Sequence, residues 1–216
     1  MKICVFASSS SRIDNEYSIA ASKLGLLLAH AKIDVVYGGG GIGLMGKLAD
    51  AVLKNGGKIT GVIPSFMKDE GWDHSAVSEM IITSDMGERK KRMFALADAV
   101  VALPGGVGTL EELTEAMTLK QLGLFRGPII LLNTMNFYNS FIDFLEHMIS
   151  GNFLRYEHKG MWEIARTPEE YADQILLLLT NPDKSREIAM NGYNYVLRNY
   201  SWEKESVKIE ELITKK

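Results

Sequence analysis

Short apolar runs rich in β-branched residues alternate with longer stretches of helical spacing along roughly the first 150 residues. Six runs have the composition and length of strands: residues 2–7, 33–37, 58–63, 79–83, 99–103 and 128–132. Five stretches have the pattern of helices: residues 16–31, 44–55, 88–97, 110–122 and 139–149. Several runs, such as residues 99–103, are apolar at every position, as in strands covered by helices on both faces. The sequence predicts a doubly wound α/β fold with a mostly parallel sheet, in a Rossmann-like three-layer α/β/α arrangement.

The length of 216 residues suits one domain with a full core, and an apolar fraction of 46% is ordinary for a folded chain. We expect a Rossmann-like domain over residues 1–180 and a C-terminal helical extension over residues 181–216. Residues 168–179, 184–198 and 202–213 have helical patterns. We expect them to serve packing or an oligomer contact.

The net charge of −3 gives no general attraction to nucleic acid or acidic membranes. A phosphate ligand would therefore need a local set of residues. The chain enters its first strand almost at once, no apolar stretch is long enough to span a bilayer, and the single cysteine, Cys4, lies within a strand pattern. We expect a cytoplasmic protein with no nucleic-acid or membrane partner.

Ligands of such sheets bind beyond the carboxyl ends of the strands, where loops lead into helices. This rule selects four loops: residues 8–11, 38–43, 86–91 and 105–109. The unusual residue patterns of the sequence all fall in these loops. We therefore expect the functional site there.

The loop at residues 104–109, Pro-Gly-Gly-Val-Gly-Thr, follows a buried strand and opens a helix. Its glycines allow backbone N–H groups to converge on an anion at the positive end of that helix. A tight turn without a ligand is the alternative, but three glycines, a threonine and two acids in the first helical turn exceed what a turn needs. The pattern predicts a phosphate cradle.

The loop at residues 38–46 contains two weak motifs. Gly41, Gly43 and Gly46 form a G-x-G-x-x-G, but no acidic residue ends the next strand to hold a ribose, which disfavours NAD. Gly41 to Lys47 nearly matches a P-loop, but Leu48 replaces the Ser or Thr that would hold magnesium. Two interpretations stay open: close approach of a ligand or of another backbone segment, or close helix–strand packing.

Arg89 begins the helix after the fourth strand and Glu112 lies one turn into the helix after the fifth, so both side chains can face one crevice. A carboxylate there can stabilise an oxocarbenium-like ribosyl cation and orient water, and a guanidinium can position charge without losing its proton. The alternatives are a solvated basic face for Arg89 to Arg92, and helix-start acids for Glu111, Glu112 and Glu115.

The four histidines lack metal-ligand spacing, so we expect neither a metal nor a cofactor.

The segments Met86-Gly87-Glu88-Arg89-Lys90 and Pro104 to Glu112 resemble the paired signatures of the LONELY GUY (LOG) family of cytokinin riboside 5′-monophosphate phosphoribohydrolases, formerly labelled lysine decarboxylases. The resemblance extends over residues 2–132. It implies a nucleoside 5′-monophosphate substrate, cytokinin riboside 5′-monophosphate or AMP, and a homodimer. It also implies that residues 1–180 are a nucleotide-binding catalytic domain in which Arg89 and Glu112 are catalytic. The residues implied to bind the nucleotide are Lys90, Gly105, Gly106, Val107, Gly108, Thr109, Leu110 and Glu111, and we expect Ser8, Gly40 and Gly41 to contact it from the first two loops.

Three positions depart from the family pattern: Gly87 stands where histidine is usual, Ser8 where a glycine precedes the serines, and Leu119 where many plant members have tryptophan. These changes affect the expected base pocket rather than the catalytic pair. Two other functions are weighed. A non-catalytic nucleotide or cofactor carrier would not need Glu112, and a pyridoxal phosphate decarboxylase would need a Schiff-base lysine that no pattern identifies.

Overall fold

Seven strands and six helices make up the part of the chain that the structure, a computed structural model, describes: residues 1–77 and 79–170. The strands are β1 (Lys2–Phe6), β2 (Asp34–Tyr37), β3 (Ile59–Pro64), β4 (Glu79–Thr83), β5 (Ala99–Ala102), β6 (Ile129–Leu132) and β7 (Glu163–Ala165). The helices are α1 (Asn15–His30), α2 (Gly43–Lys54), α3 (Ser65–Asp69), α4 (Met86–Leu96), α5 (Val107–Gln121) and α6 (Asn139–Ser150). Two 3₁₀ turns cover Thr134–Asn136 and Tyr156–Gly160.

All seven strands pair in parallel in the order β4-β3-β2-β1-β5-β6-β7. The strand order reverses between β1 and β5, which is the switch point where open α/β sheets bind ligands. The predicted three-layer, doubly wound fold is confirmed. The six predicted strands are all present, with each end within one residue of its predicted position.

Some elements differ from the expectation. Strand β7 was not predicted because it has only three residues and begins with a glutamate. Helix α5 begins at Val107, three residues before its predicted start, because Val107 and Gly108 form its first turn despite the poor helix propensity of glycine. Helix α4 likewise begins at Met86, where Asp85 caps it by accepting the Glu88 N–H at 2.8 Å.

The sheet is buried on both faces, as the apolar strands predicted. Alternate residues such as Cys4 and Phe6 of β1 pack in a cluster with Met93 of α4 and Leu113 of α5. The residues between them, such as Val5, are equally buried. Because side chains alternate across a strand, both faces of β1 must be covered.

The loops after β1 and β5 lie side by side at the switch point, since the Ser8 N–H donates to the Pro104 carbonyl at 3.3 Å. The Ser8 carbonyl in turn accepts the N–H groups of Leu44 at 2.9 Å and Met45 at 3.3 Å, at the first turn of α2. Gly43 permits this contact: its φ is +66°, and a Cβ there would lie 2.7 Å from the Ser8 oxygen. The first loop is thereby held between the other two.

Residues Pro168 to Glu170 are helical, as predicted for this position, and the Thr167 hydroxyl accepts the Glu170 N–H at 3.2 Å. The remaining predicted tail helices and the predicted boundary at residue 180 lie outside the described residues. Among the described helices, none is long and apolar enough to cross a membrane.

We predict that Gly43→Ala destabilises the protein much more than Gly56→Ala. Both glycines have a left-handed backbone, but Gly56 faces open space while Gly43 lies against the 8–10 backbone. We expect Gly56→Ala to lower the free energy of unfolding by about 1 kcal/mol, the left-handed penalty, and Gly43→Ala by about 3 kcal/mol, with overpacking added. Urea denaturation measures both, and equal losses would contradict the packing described for the first loop.

Candidate active site

Arg89 and Glu112 form a buried ion pair at the carboxyl edge of the sheet. The Arg89 Nη1 donates to Glu112 Oε1 at 2.7 Å, and the two residues are only 6% and 7% exposed. Arg89 lies in the first turn of α4 and Glu112 in the second turn of α5. The structure thus brings together the two residues that the sequence predicted to face one crevice, and excludes the solvated-face alternative for Arg89.

Two backbone carbonyls hold the Arg89 guanidinium on its other sides. Its Nε donates to the Val62 carbonyl at 3.0 Å and its Nη2 to the Gly38 carbonyl at 3.3 Å. A Cβ built on Gly38 would overlap Nη2, so only glycine at this position leaves room for the guanidinium. The ends of β2 and β3 therefore fix the orientation of Arg89.

Burial and charge act in opposite directions on the Glu112 carboxyl. Loss of solvation raises its pKa, and the Arg89 guanidinium lowers it by charge and by hydrogen bonding, with burial the stronger effect. Cys4 lies close beneath this pair: burial raises the pKa of its thiol, and the Glu112 charge raises it further. Burial thus favours the neutral form of both the Cys4 thiol and the Glu112 carboxyl, and the Arg89 guanidinium favours the ionised form of Glu112.

Lys90 is held by two carboxylates of α5. Its Nζ donates to Glu111 and forms an ion pair with Glu115 at 2.7 Å, and these contacts raise the pKa of the lysine. Glu111 and Glu115 are four residues apart and so lie on one helix face. The ion pairs fasten α4 to α5 beside the Arg89–Glu112 pair.

The loop between β5 and α5 has the properties expected of an anion cradle. No side chain caps the N-terminus of α5, where the first N–H groups of a helix lack intrahelical partners. A Cβ on Gly106 or Gly108 would meet nothing within 4 Å, whereas Gly105 is covered by the Thr109 side chain. The open glycines leave space for a phosphate at the positive end of the helix.

The strand end before this loop is fixed from below. The Tyr138 hydroxyl, which is buried, donates to the Leu103 carbonyl at 2.7 Å, and the Asn133 side chain accepts the Tyr138 N–H at 2.7 Å. The cradle is therefore attached to a rigid support in the core.

The glycine run after β2 has a different structure. Gly41 donates its N–H to Trp72 at 3.0 Å, Gly39 accepts the His74 N–H at 2.9 Å, and Gly40 forms a bridge with Asp73. The structure shows the close approach of another backbone segment, residues 72–74, that the sequence left open. The first N–H groups of α2 are already bonded to Ser8, so this helix offers no second cradle. Substrate contacts of Ser8, Gly40 and Gly41 remain predictions.

Sequence reasoning missed two parts of the site. The contact between Gly38 and Arg89 joins residues 51 positions apart, and no local pattern indicates it. The role of Glu115 could have been inferred, because its spacing from Glu111 places two carboxylates on one helix face opposite a basic segment. Across the described residues, no group of three or more His, Cys, Asp or Glu side chains is arranged to hold a metal ion.

The family comparison agrees with these motifs. Residues 45–175 match the protein family described as "Possible lysine decarboxylase". The chain is 43% identical over 153 residues to cytokinin riboside 5′-monophosphate phosphoribohydrolase LOG7 of Arabidopsis thaliana, covering 71% of this chain and 70% of that protein. It is 38% identical over 183 residues to a probable enzyme of the same name, LOGL6 of Oryza sativa subsp. japonica, covering 85% and 73%. The chain belongs to the LOG family. The predicted family is confirmed.

Solved structures share the fold of this LOG family member at lower identity. The molybdenum cofactor carrier protein of Chlamydomonas reinhardtii is 20% identical with a TM-score of 0.65, covering 83% of this chain and 98% of that one. The molybdenum cofactor binding protein of Rippkaea orientalis is 24% identical with a TM-score of 0.61, covering 82% and 95%. At this identity the likeness shows the fold alone.

We predict that Gly38→Ala raises the pKa of Glu112, because a methyl group at this position displaces the guanidinium that favours the ionised carboxylate. NMR titration of protein labelled at the glutamate carboxyl carbons would measure the upward shift of the Glu112 pKa. Gly61→Ala is the comparison variant, since its methyl group meets Met80 and the Gly39 backbone instead of Arg89. An unchanged Glu112 titration in Gly38→Ala would refute the positioning of Arg89 by Gly38.

Proposed function

We propose that this protein hydrolyses the N-glycosidic bond of a nucleoside 5′-monophosphate and releases the free base and ribose 5-phosphate. The observation that carries the proposal is the buried Arg89–Glu112 pair directly beside an uncapped helix N-terminus. The names of the relatives, phosphoribohydrolases of cytokinin riboside 5′-monophosphate, support the same reaction.

The phosphate binds at the first turn of α5. Gly106, Val107, Gly108 and Thr109 surround that turn, and Val107 is 84% exposed, so its side chain leaves the backbone accessible. The Leu110 N–H is already bonded to the Gly106 carbonyl at 3.1 Å, which limits the free donors to the residues before it. Binding there fixes the ribose near the second turn of the helix, where Glu112 lies.

Glu112 acts on the ribose carbon that carries the base. As the bond from this carbon to the base nitrogen breaks, positive charge develops on the sugar, and the carboxylate stabilises it. Glu112 also orients the water whose oxygen forms the new bond to this carbon. This water loses one proton as the bond forms, and the departing base nitrogen gains one, so that one water molecule is consumed overall. Arg89 keeps Glu112 ionised and correctly placed.

Lys90 and Glu111 act at the edge of this site. Because Lys90 is bonded to two carboxylates, we propose that it holds α4 and α5 at a fixed separation, and that its contact with the nucleotide is secondary. The reaction needs no cofactor. A homodimer and a cytoplasmic location belong to the same proposal and follow from the family resemblance and the composition.

We predict that Glu112→Gln lowers kcat by at least about a thousandfold while nucleotide binding persists, because the amide cannot stabilise the developing cation. Glu163→Gln is the control: Glu163 begins β7 at the opposite edge of the sheet, so the change removes the same charge away from the site, and we expect its kcat to stay within tenfold of the unmodified protein. Steady-state kinetics with released base as the readout compares them.

The pH dependence follows from the direction of the Glu112 shift. Burial raises the pKa of this carboxyl above its ordinary value of 4.5, and the ionised form is the active one. Activity should therefore fall with decreasing pH at a midpoint above 4.5. A midpoint at or below the ordinary value, or normal turnover in Glu112→Gln, would remove Glu112 from the mechanism.

The base specificity depends on Gly87 more than on Leu119. Leu119 packs against the hydrophobic cluster, so its replacement of the tryptophan found in plant members changes the core. Gly87 is exposed two residues before Arg89, and a Cβ there would meet only the Asp85 carboxylate, at 3.1 Å. The position usually filled by histidine is therefore open.

We predict that AMP and isopentenyladenosine monophosphate are both hydrolysed, with kcat/KM values within about tenfold, because an open base end discriminates weakly. Chromatography of released base and ribose 5-phosphate measures both rates, and Gly87→His serves as the comparison variant. Release from the prenylated nucleotide alone would contradict the open base end. Release from neither nucleotide would contradict hydrolysis and favour the carrier alternative.

A further inference from the structure

The candidate site has an excess of negative charge before any substrate enters. Glu111, Glu112 and Glu115 contribute three carboxylates, and Arg89 and Lys90 contribute two cations, which leaves one net negative charge when all are ionised. Each cation is already paired with a carboxylate of α5. None of this positive charge is free for a ligand.

A phosphate monoester adds about 1.5 to 2 further negative charges at neutral pH. The N-terminus of α5 offers the equivalent of about half a positive charge. The helix end alone therefore does not balance the phosphate against the acidic residues of the same helix. Another cation is needed near Gly106 and Gly108.

Arg12 is the first cation after β1. It follows the loop after β1, which is bonded to the cradle loop through Ser8 and Pro104. Two bonds curl this loop, since Ser10 N–H donates to Ser8 Oγ at 3.0 Å and Arg12 N–H donates to Ser10 Oγ at 3.3 Å. Arg12 thus lies four residues after Ser8, which is bonded to the cradle loop.

The Arg12 side chain is exposed, and it forms no ion pair with any residue in the ranges 1–77 and 79–170. Two other cations, Arg92 and Lys91 of α4, lie near carboxylates. Arg92 lies 3.8 Å from Glu88, and Lys91 is close enough to Asp85 to lower the pKa of that carboxyl. Arg12 therefore differs from them in having an available charge.

The helix that follows Arg12 does not compete for the anion. Asp14 caps α1, and its carboxylate accepts the Glu16 N–H at 2.9 Å. The start of α1 is therefore less available to an anion than an uncapped helix end. A guanidinium suits the task, because its planar fork donates two parallel hydrogen bonds to phosphate oxygens.

We propose that Arg12 binds the phosphate group of the substrate, across the cradle from Gly106 and Gly108. The proposal rests on the proposed function for the location of the phosphate, and it adds a residue outside both paired motifs. Arg12 contributes to binding rather than to bond cleavage. Its loss should thus raise KM and leave kcat nearly unchanged.

The test uses ribose 5-phosphate, which carries the phosphate but has no bond to cleave, with ribose as the phosphate-free comparison. Calorimetry on the full chain compares the unmodified protein with Arg12→Ala, Arg12→Lys and Lys58→Ala. Lys58 is an exposed cation directly before β3, at the opposite edge of the sheet, and controls for net charge. We expect Arg12→Ala to weaken ribose 5-phosphate binding about tenfold or more, Arg12→Lys to retain part of the affinity, and Lys58→Ala to match the unmodified protein.

A parallel measurement of KM and kcat for AMP should show about a tenfold higher KM in Arg12→Ala, with kcat within about threefold. Ribose 5-phosphate affinity within twofold of the unmodified protein in Arg12→Ala, or equal weakening in Lys58→Ala, would overturn the role of Arg12 and leave the proposed function intact. Binding that depends on Arg12 in a protein that hydrolyses no nucleotide would support this role and reject the proposed function. If the unmodified protein does not bind ribose 5-phosphate, the start of α5 is not a phosphate site, and the proposed role of Arg12 is overturned with it.

Discussion

The buried ion pair between Arg89 and Glu112 is the interaction on which the rest of the site depends. Removing both charges from water is expensive, and a single buried pair is weak evidence of stability. This pair persists because the guanidinium also donates to two backbone carbonyls at the ends of β2 and β3. The parallel sheet provides those carbonyls in register, so the geometry of Arg89 follows directly from the fold. A role in the proposed reaction therefore explains this buried pair better than a contribution to folding stability does.

The two glycine-rich loops share a composition but have different physical roles. Each precedes a helix at the carboxyl edge of the sheet, and each could form an anion site by the general rule for helix N-termini. The difference lies in one backbone group, because the Ser8 carbonyl accepts the first N–H groups of α2 while no side chain caps α5. A helix end already bonded to a carbonyl cannot hold a phosphate. The first loop therefore determines which helix is available.

The sequence predicted the fold and the meeting of Arg89 and Glu112 for the same reason. Strands such as residues 99–103 can be predicted because burial of both faces makes them apolar throughout. The proximity of Arg89 and Glu112 can be predicted because parallel strands bring their loops to one edge of the sheet. The sequence could not predict the contact of Arg89 with Gly38 or the bonding of the start of α2 to the Ser8 carbonyl. Both are backbone contacts between distant segments, and they depend on sheet order and on the absence of a Cβ rather than on residue type. Strand β7 was missed because pairing with β6, and not its own composition, defines it.

The position of Glu112 also separates hydrolysis from binding within a fold that supports both. The molybdenum cofactor carrier of Chlamydomonas reinhardtii shares this architecture, so the fold does not decide the function. A protein that only binds a phosphate ester would bind more tightly without a buried carboxylate near the cradle, because that charge repels the phosphate and is itself poorly solvated. The carboxylate becomes favourable only when positive charge develops next to it. We therefore expect a glutamate in this position, paired with a buried arginine, in a site where the sugar becomes cationic during the reaction.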